Sequence, residues 1–151
     1  SMVRDTEDIY LVVDPERLEE AIRDLVRIGL DRIKGWCPPD EITTSSGLNT
    51  IDEIDVEDAI GLMESRDIGV LDVRRRTEFD EGHLPGALSI AHTRLAGRID
   101  EVPRDTRLLV NCRSGARSAR ASAYLKRAGW DVINLKGGML AWEKAAATVE
   151  R

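Results

Sequence analysis

At 151 residues, 42% hydrophobic and 33% charged, the chain is long enough for one ordinary core plus an appendage. A formal net charge of −6 argues against nucleic acid as the main partner. Two distant cysteines, Cys37 and Cys112, make no disulfide framework, and neither a signal peptide nor a run of about eighteen apolar residues is present, so a reducing, cytoplasmic setting away from membranes is expected.

Ser1 ahead of Met2 reads as a tag remnant. Residues 9–13, Ile-Tyr-Leu-Val-Val, read as a strand. Asp14 then stands as a helix N-cap with Pro15 at the first helical position, and Leu18, Ile22, Leu25 and Val26 form an apolar stripe that ends at Gly29. One strand and one helix cannot bury such a stripe by themselves, so this segment, 1–36, needs another surface. Cys37 and the Pro38-Pro39 pair open a linker, 37–50, in which Cys37 reads as a stray thiol.

From residue 51 strand and helix signals alternate. Asp55 is a fair N-cap for a helix at 56–65, which leads to a strand at 70–73. Asp72 and Arg74 close that strand and Glu78 begins a short helical turn, a pattern that suits a carboxylate–guanidinium network fixing the loop. Arg74, Arg75 and Arg76 read mainly as a solvated face that also attracts an anion. His83 precedes the turn Leu84-Pro85-Gly86 and reads as a hydrogen-bonded structural histidine, followed by a strand at 87–90 and a helical stretch at 93–101. A strand at 108–111, a helix at 114–128 capped by Gly129, a strand at 132–135 and a terminal helix after Gly137-Gly138, with Trp142 in the core, complete the pattern. Short apolar strands separated by helices predict an α/β fold, with a mainly parallel sheet covered on both faces and its sites at the carboxyl ends of the strands.

Cys112 falls at such an end, after Leu108-Leu109-Val110-Asn111, and is followed by Arg113-Ser114-Gly115-Ala116-Arg117-Ser118. Small and cationic residues after a strand-end cysteine are how a reactive thiolate is built. A free thiol ionises near about 8.5, and bringing it below 7 takes roughly 2 kcal/mol of preference for the anion. A helix N-terminus contributes about 0.3–1 kcal/mol in most settings, so loop N–H groups and the charges of Arg113 and Arg117 are expected to supply the rest. Four residues lie between Cys112 and Arg117, one fewer than a loop closed around a phosphoryl group requires, and the smaller cradle suits a single sulfur atom carried on Cys112.

This loop resembles that of the rhodanese family of sulfurtransferases, with its Cys-x-x-Gly-x-Arg pattern. Upstream, Gly69-Val70-Leu71-Asp72-Val73-Arg74, Glu78-Phe79 and Gly82-His83-Leu84-Pro85-Gly86-Ala87 resemble the family's paired opening signature. Downstream, residues 135–142, Leu-Lys-Gly-Gly-Met-Leu-Ala-Trp, resemble its closing one. The resemblance covers residues 51–147 and implies a rhodanese-like fold and cysteine persulfide chemistry. Cys112 is then the nucleophile, residues 113–118 the substrate cradle, and Asp72, Arg74, Glu78 and His83 supporting residues, with small sulfur-containing anions and thiols as partners. Residues 91–95 and 138–140 are expected at the pocket rim.

Two other functions share the loop. A non-catalytic interaction module is disfavoured by the intact cationic loop around Cys112, and an arsenate reductase or phosphatase by the four-residue spacing. Residues 12–36 resemble the tail of metallo-β-lactamase-fold hydrolases and persulfide dioxygenases, several of which carry a rhodanese domain behind them, which implies an upstream domain of that kind. His83 and His92 are the only histidines and stand in no metal-ligand spacing, so no metal and no cofactor are expected.

Overall fold

The computed structural model describes residues 5–44, 50–65, 68–145 and 147–150, so Ser1 and most of the second half of the expected linker lie outside the described residues. Two compact units divide the chain, Ser1–Asn49 and Thr50–Arg151.

In the first unit, β1 (Ile9–Val12) pairs in parallel with β2 (Ile33–Cys37), joined by a 3-10 turn at Pro15–Arg17 and by α1 (Leu18–Arg27). Pro15 starts the turn as expected, and Asp14 has extended geometry but makes no side-chain cap. The strand β2 is not legible in the sequence: Ile33, Lys34, Gly35, Trp36 and Cys37 alternate weakly, and they become a strand only because β1 offers its edge, with Val12 opposite Cys37. Cys37 is therefore the last residue of a strand and not a linker thiol, and α2 (Pro39–Thr44) occupies part of the expected linker.

The second unit is a five-stranded sheet of β3 (Glu53–Ile54), β4 (Ile68–Asp72), β5 (Leu88–Ser89), β6 (Arg107–Asn111) and β7 (Val132–Leu135), in the order β3-β7-β6-β4-β5. Every ladder is parallel. Side-chain alternation sorts the strands between two cores. Leu71, Leu108, Val110 and Val132 pack beneath α5 (Ala116–Arg127) with its Ala121 and Leu125. Val70, Leu109, Ile133 and Leu135 pack on the other face against α3 (Val56–Glu64) and α6 (Gly138–Lys144) through Val56, Ala59, Met139 and Trp142. Helices thus cover both faces, as parallel sheets require.

Three elements differ from expectation. The stretch 93–101 is two 3-10 turns, Leu95–Gly97 and Ile99–Glu101, and not one helix, because Gly97 interrupts it between buried Leu95 and half-buried Ile99, which pack on the same core. The helix after Cys112 starts at Ala116, two residues later than expected, since Gly115 adopts a left-handed φ of 96° that no helix continues through. The two-residue strand β3 is too short to read from sequence, and is held by pairing with Asn134 and Leu135.

Candidate active site

From β4 the chain runs through α4 (Arg76–Asp80) to β5 on one side, and from β6 through α5 to β7 on the other. Loops leaving β4 and β6 therefore diverge, and a crevice opens between them at the carboxyl edge of the sheet, where doubly wound folds place their ligands. Cys112 follows β6 directly. Because side chains alternate along a strand, it shares the face of Leu108 and Val110 and points under the N-terminus of α5.

There the sulfur accepts hydrogen bonds from the Gly115 N–H at 3.2 Å and the Ser118 hydroxyl at 3.3 Å. Burial pushes the Cys112 thiol up, but the Ser118 hydroxyl and the N–H groups of Ser118, Ser114 and Gly115 outweigh it and hold the thiol below its ordinary value. Cys112 itself is 0% exposed, beneath a rim of exposed Arg113, Ser114 and Ala116.

The cations divide between different roles. Arg117 is clamped by Glu78 from α4, Nη1 and Nη2 each donating at 2.8 Å to one carboxylate oxygen, so this pair bridges the crevice. Those hydrogen bonds, opposed by burial and assisted by the Arg75 N–H, hold the Glu78 carboxyl down to about 2. The expected single network of Asp72, Arg74 and Glu78 is instead two separate pairs. Asp72, fully buried, accepts from Arg74 Nε at 2.8 Å and Nη2 at 2.6 Å, while Arg74 Nη2 also donates to the Gly82 carbonyl at 2.7 Å. Arg74 thus ties the end of β4 to the turn before His83. His83 stacks on Phe79, with ring centroids 3.7 Å apart, and places Nδ1 at 3.0 Å from the Phe79 carbonyl. Its contacts are structural, and none reaches the Cys112 loop. Arg113 has no carboxylate partner among the described residues.

The closing Gly137-Gly138 pair holds the loop from below. The Met139 and Leu140 N–H groups donate to the Cys112 and Arg113 carbonyls at 2.8 and 3.0 Å. A Cβ on Gly138, whose φ is +58°, would collide with the Cys112 carbonyl oxygen. The loop carbonyls accordingly face α6 while its amides face the sulfur. Sequence reading places Gly138 at the rim and misses this role; a positive-φ glycine beside a close backbone approach leaves no mark in a single sequence beyond the doublet itself.

A parallel α/β sheet with a strand-end cysteine cradled by the amides of a following helix defines a protein of the cysteine-loop class, whose loop favours the charged form of the sulfur. The chain belongs to the family described as Rhodanese-like domain, which matches residues 55–145. It is similar to a protein named Sulfurtransferase from Allochromatium vinosum, 38% identical over 96 residues that are 62% of this chain and 90% of that one. It is also similar to a Thiosulfate sulfurtransferase GlpE from Shewanella oneidensis, 31% identical over 101 residues that are 66% of this chain and all of the relative. Among solved structures it resembles a rhodanese-related protein from Thermoplasma volcanium, with a TM-score of 0.63 at 26% identity over 66% of this chain and 97% of that one. No described helix is long and apolar enough to cross a membrane.

Proposed function

We propose that the chain is a rhodanese-type sulfurtransferase that moves a sulfane sulfur from thiosulfate or a low-molecular-weight persulfide to a thiol or cyanide through a persulfide on Cys112. The observation that carries this reading is the Cys112 sulfur held below its ordinary pKa by Gly115 and Ser118 in a loop closed by four residues before Arg117. Relatives named sulfurtransferase and thiosulfate sulfurtransferase support the same reading.

In the first half-reaction the Cys112 thiolate attacks the outer sulfur of the donor. A Cys112–sulfur bond forms, the donor's S–S bond breaks, and sulfite or a thiolate leaves with the electron pair. The terminal persulfide anion takes the place of the thiolate before the loop amides. An acceptor thiolate or cyanide then attacks that terminal sulfur, and Cys112 departs as the thiolate it began as. No external base is needed when the thiol is already ionised. Because the sulfur is 0% exposed, the rim of Arg113, Ser114 and Ala116 must shift to admit a donor. Arg113, exposed and without a carboxylate partner among the described residues, meets the donor's anionic group. Arg117, neutralised in part by Glu78, sets the shape of the loop.

Intact mass spectrometry after thiosulfate or a persulfide is the test. A gain of one sulfur, about 32 Da, that maps to Cys112 and is removed by cyanide is expected. No gain with either donor in a folded protein overturns the reading.

The first unit is proposed to be the end of an upstream metallo-β-lactamase-like domain. Its resemblance to such tails supports this, and so does its surface: Tyr10, Val12, Val26, Ile28 and Trp36 are exposed by 44–72%. Co-purification of the natural full-length protein as one polypeptide with a metal-binding N-terminal domain is the expected result, and a natural chain without one refutes it.

A further inference from the structure

Beside the crevice lies a second cleft, of about 460 Å3, lined by Arg75, Arg76, Ser89, Ala91, Thr93, Arg94 and Arg98. Its volume falls within the roughly 300–1,000 Å3 of small-molecule sites. Arg75 and Arg76 belong to the loop and first turn after β4, and the others to β5 and the segment that follows it, so the cleft sits on the same carboxyl edge as Cys112. Adjacent strands lie about 4.8 Å apart, which puts β5 about 10 Å from β6. A cluster of four arginines stands out on a chain of net charge −6.

The four are not equivalent. Arg98 is engaged by Glu101, with Nε and Nη2 both at 2.6 Å from its carboxylate oxygens, and Arg76 by Asp80 at 2.8 Å. Arg75 and Arg94 have no carboxylate partner among the described residues, although nearly every other guanidinium around them has one. They come from different walls, the loop after β4 and the segment after β5, so each can meet an anionic group of its own. Guanidinium forks pair with carboxylates in two parallel hydrogen bonds.

We propose that this cleft binds the two carboxylates of a peptide-sized thiol or persulfide whose sulfur reaches Cys112. An extended peptide spans about 3.3–3.6 Å per residue, so a sulfur carried on the residue between two held carboxylates, at the end of its own side chain, extends from the cleft toward the Cys112 loop. The cleft then selects the thiol partner, while Cys112 and its cradle do the chemistry. The role in the reaction rests on the sulfur-transfer reading; the binding does not.

The full chain is titrated calorimetrically with S-methylglutathione, a tripeptide with two carboxylates and a blocked sulfur, at low salt. The wild type is expected to bind, and Arg75→Ala with Arg94→Ala to weaken binding by about tenfold. No binding by the wild type, or equal binding by the double variant, overturns the proposal; so does inorganic phosphate that competes at equal ionic strength better than chloride, which marks a phosphate site. In a second arm, Cys112 is loaded with thiosulfate and freed of excess donor, and single-turnover transfer is followed. Transfer to glutathione is expected to slow about fivefold or more in the double variant while transfer to 2-mercaptoethanol stays within about twofold. Equal loss with both thiols overturns the role in acceptor selection. Failure of the wild type to load at all overturns the sulfur-transfer reading alone, since the calorimetric result is independent of it.

Discussion

Ser118 has one hydroxyl proton and two acceptors within reach, the Cys112 sulfur at 3.3 Å and the Gly115 carbonyl at 2.9 Å. The proton favours the sulfur when that atom is charged, because a hydrogen bond to an anion is the stronger of the two. Removing it in Ser118→Ala is expected to raise the pH midpoint of Cys112 alkylation by a small haloacetamide by about half to one pH unit. An unmoved midpoint would show that the Ser118 hydroxyl takes no part in holding the thiolate. Glu78 has the opposite signature. Folding lowers its pKa from 4.5 to about 2, so its pairing with Arg117 stabilises fully above about pH 4.5 and is lost as the pH falls toward 2. In Glu78→Gln the folded protein is expected to lose about 2–3 kcal/mol at neutral pH and much of the stability change between pH 4.5 and 2, measured by denaturant unfolding. If Glu78→Gln retains the wild-type acid profile, other carboxylates carry it. Cys112→Ser is expected to abolish persulfide formation with the unfolding midpoint nearly unchanged, the oxygen filling the place of the sulfur in the same cradle.

At the level of elements, the catalytic loop is shaped by the two helices that flank it as much as by its own residues. The N-terminus of α5 turns amides toward the sulfur, with Gly115 at φ +96° permitting the turn, while the N-terminus of α6 draws the carbonyls of Cys112 and Arg113 away. Gly138→Ala is expected to cost at least about 2 kcal/mol, since a left-handed alanine is strained and its Cβ meets the Cys112 carbonyl. Activity is expected to fall further than stability, because the displaced atoms are those of the loop. Stability lost without any loss of persulfide formation would separate α6 from the site. The helix α4 also serves the loop. Five residues long, it is anchored by buried Phe79 and delivers Glu78 to Arg117 across the crevice. Its start is set by the Glu78 carboxylate accepting the Arg75 N–H, one half of a capping box.

On the scale of the whole molecule, the β3-β7-β6-β4-β5 order creates the switch point between β4 and β6 and gathers on one edge residues from four parts of the chain. The first unit has a different character. None of the residues of α1 is buried, and Tyr10 and Ile28 are 72% and 71% exposed. Tyr10→Ser with Ile28→Ser is expected to lower binding of an apolar dye by the full chain and to leave sulfur transfer unaltered; unchanged dye fluorescence would mean that these side chains form no sticky patch. Much of this was determined by local sequence. Short apolar runs at Leu108-Leu109-Val110 and Val132-Ile133, the spacing of Cys112, Gly115 and Arg117, and the Gly137-Gly138 doublet mark the parallel sheet and the thiolate loop, because strand hydrophobicity, loop size and positive φ are short-range constraints written into adjacent residues. What only the tertiary structure decided is which distant charges meet, Arg117 with Glu78 and Arg75 and Arg94 across one cleft, and the strand that includes Cys37. Those pairings are set by packing, and in a chain where a third of the residues are charged each arginine has many carboxylates within equal reach in sequence, so the choice falls to the way the sheet and its helices come together.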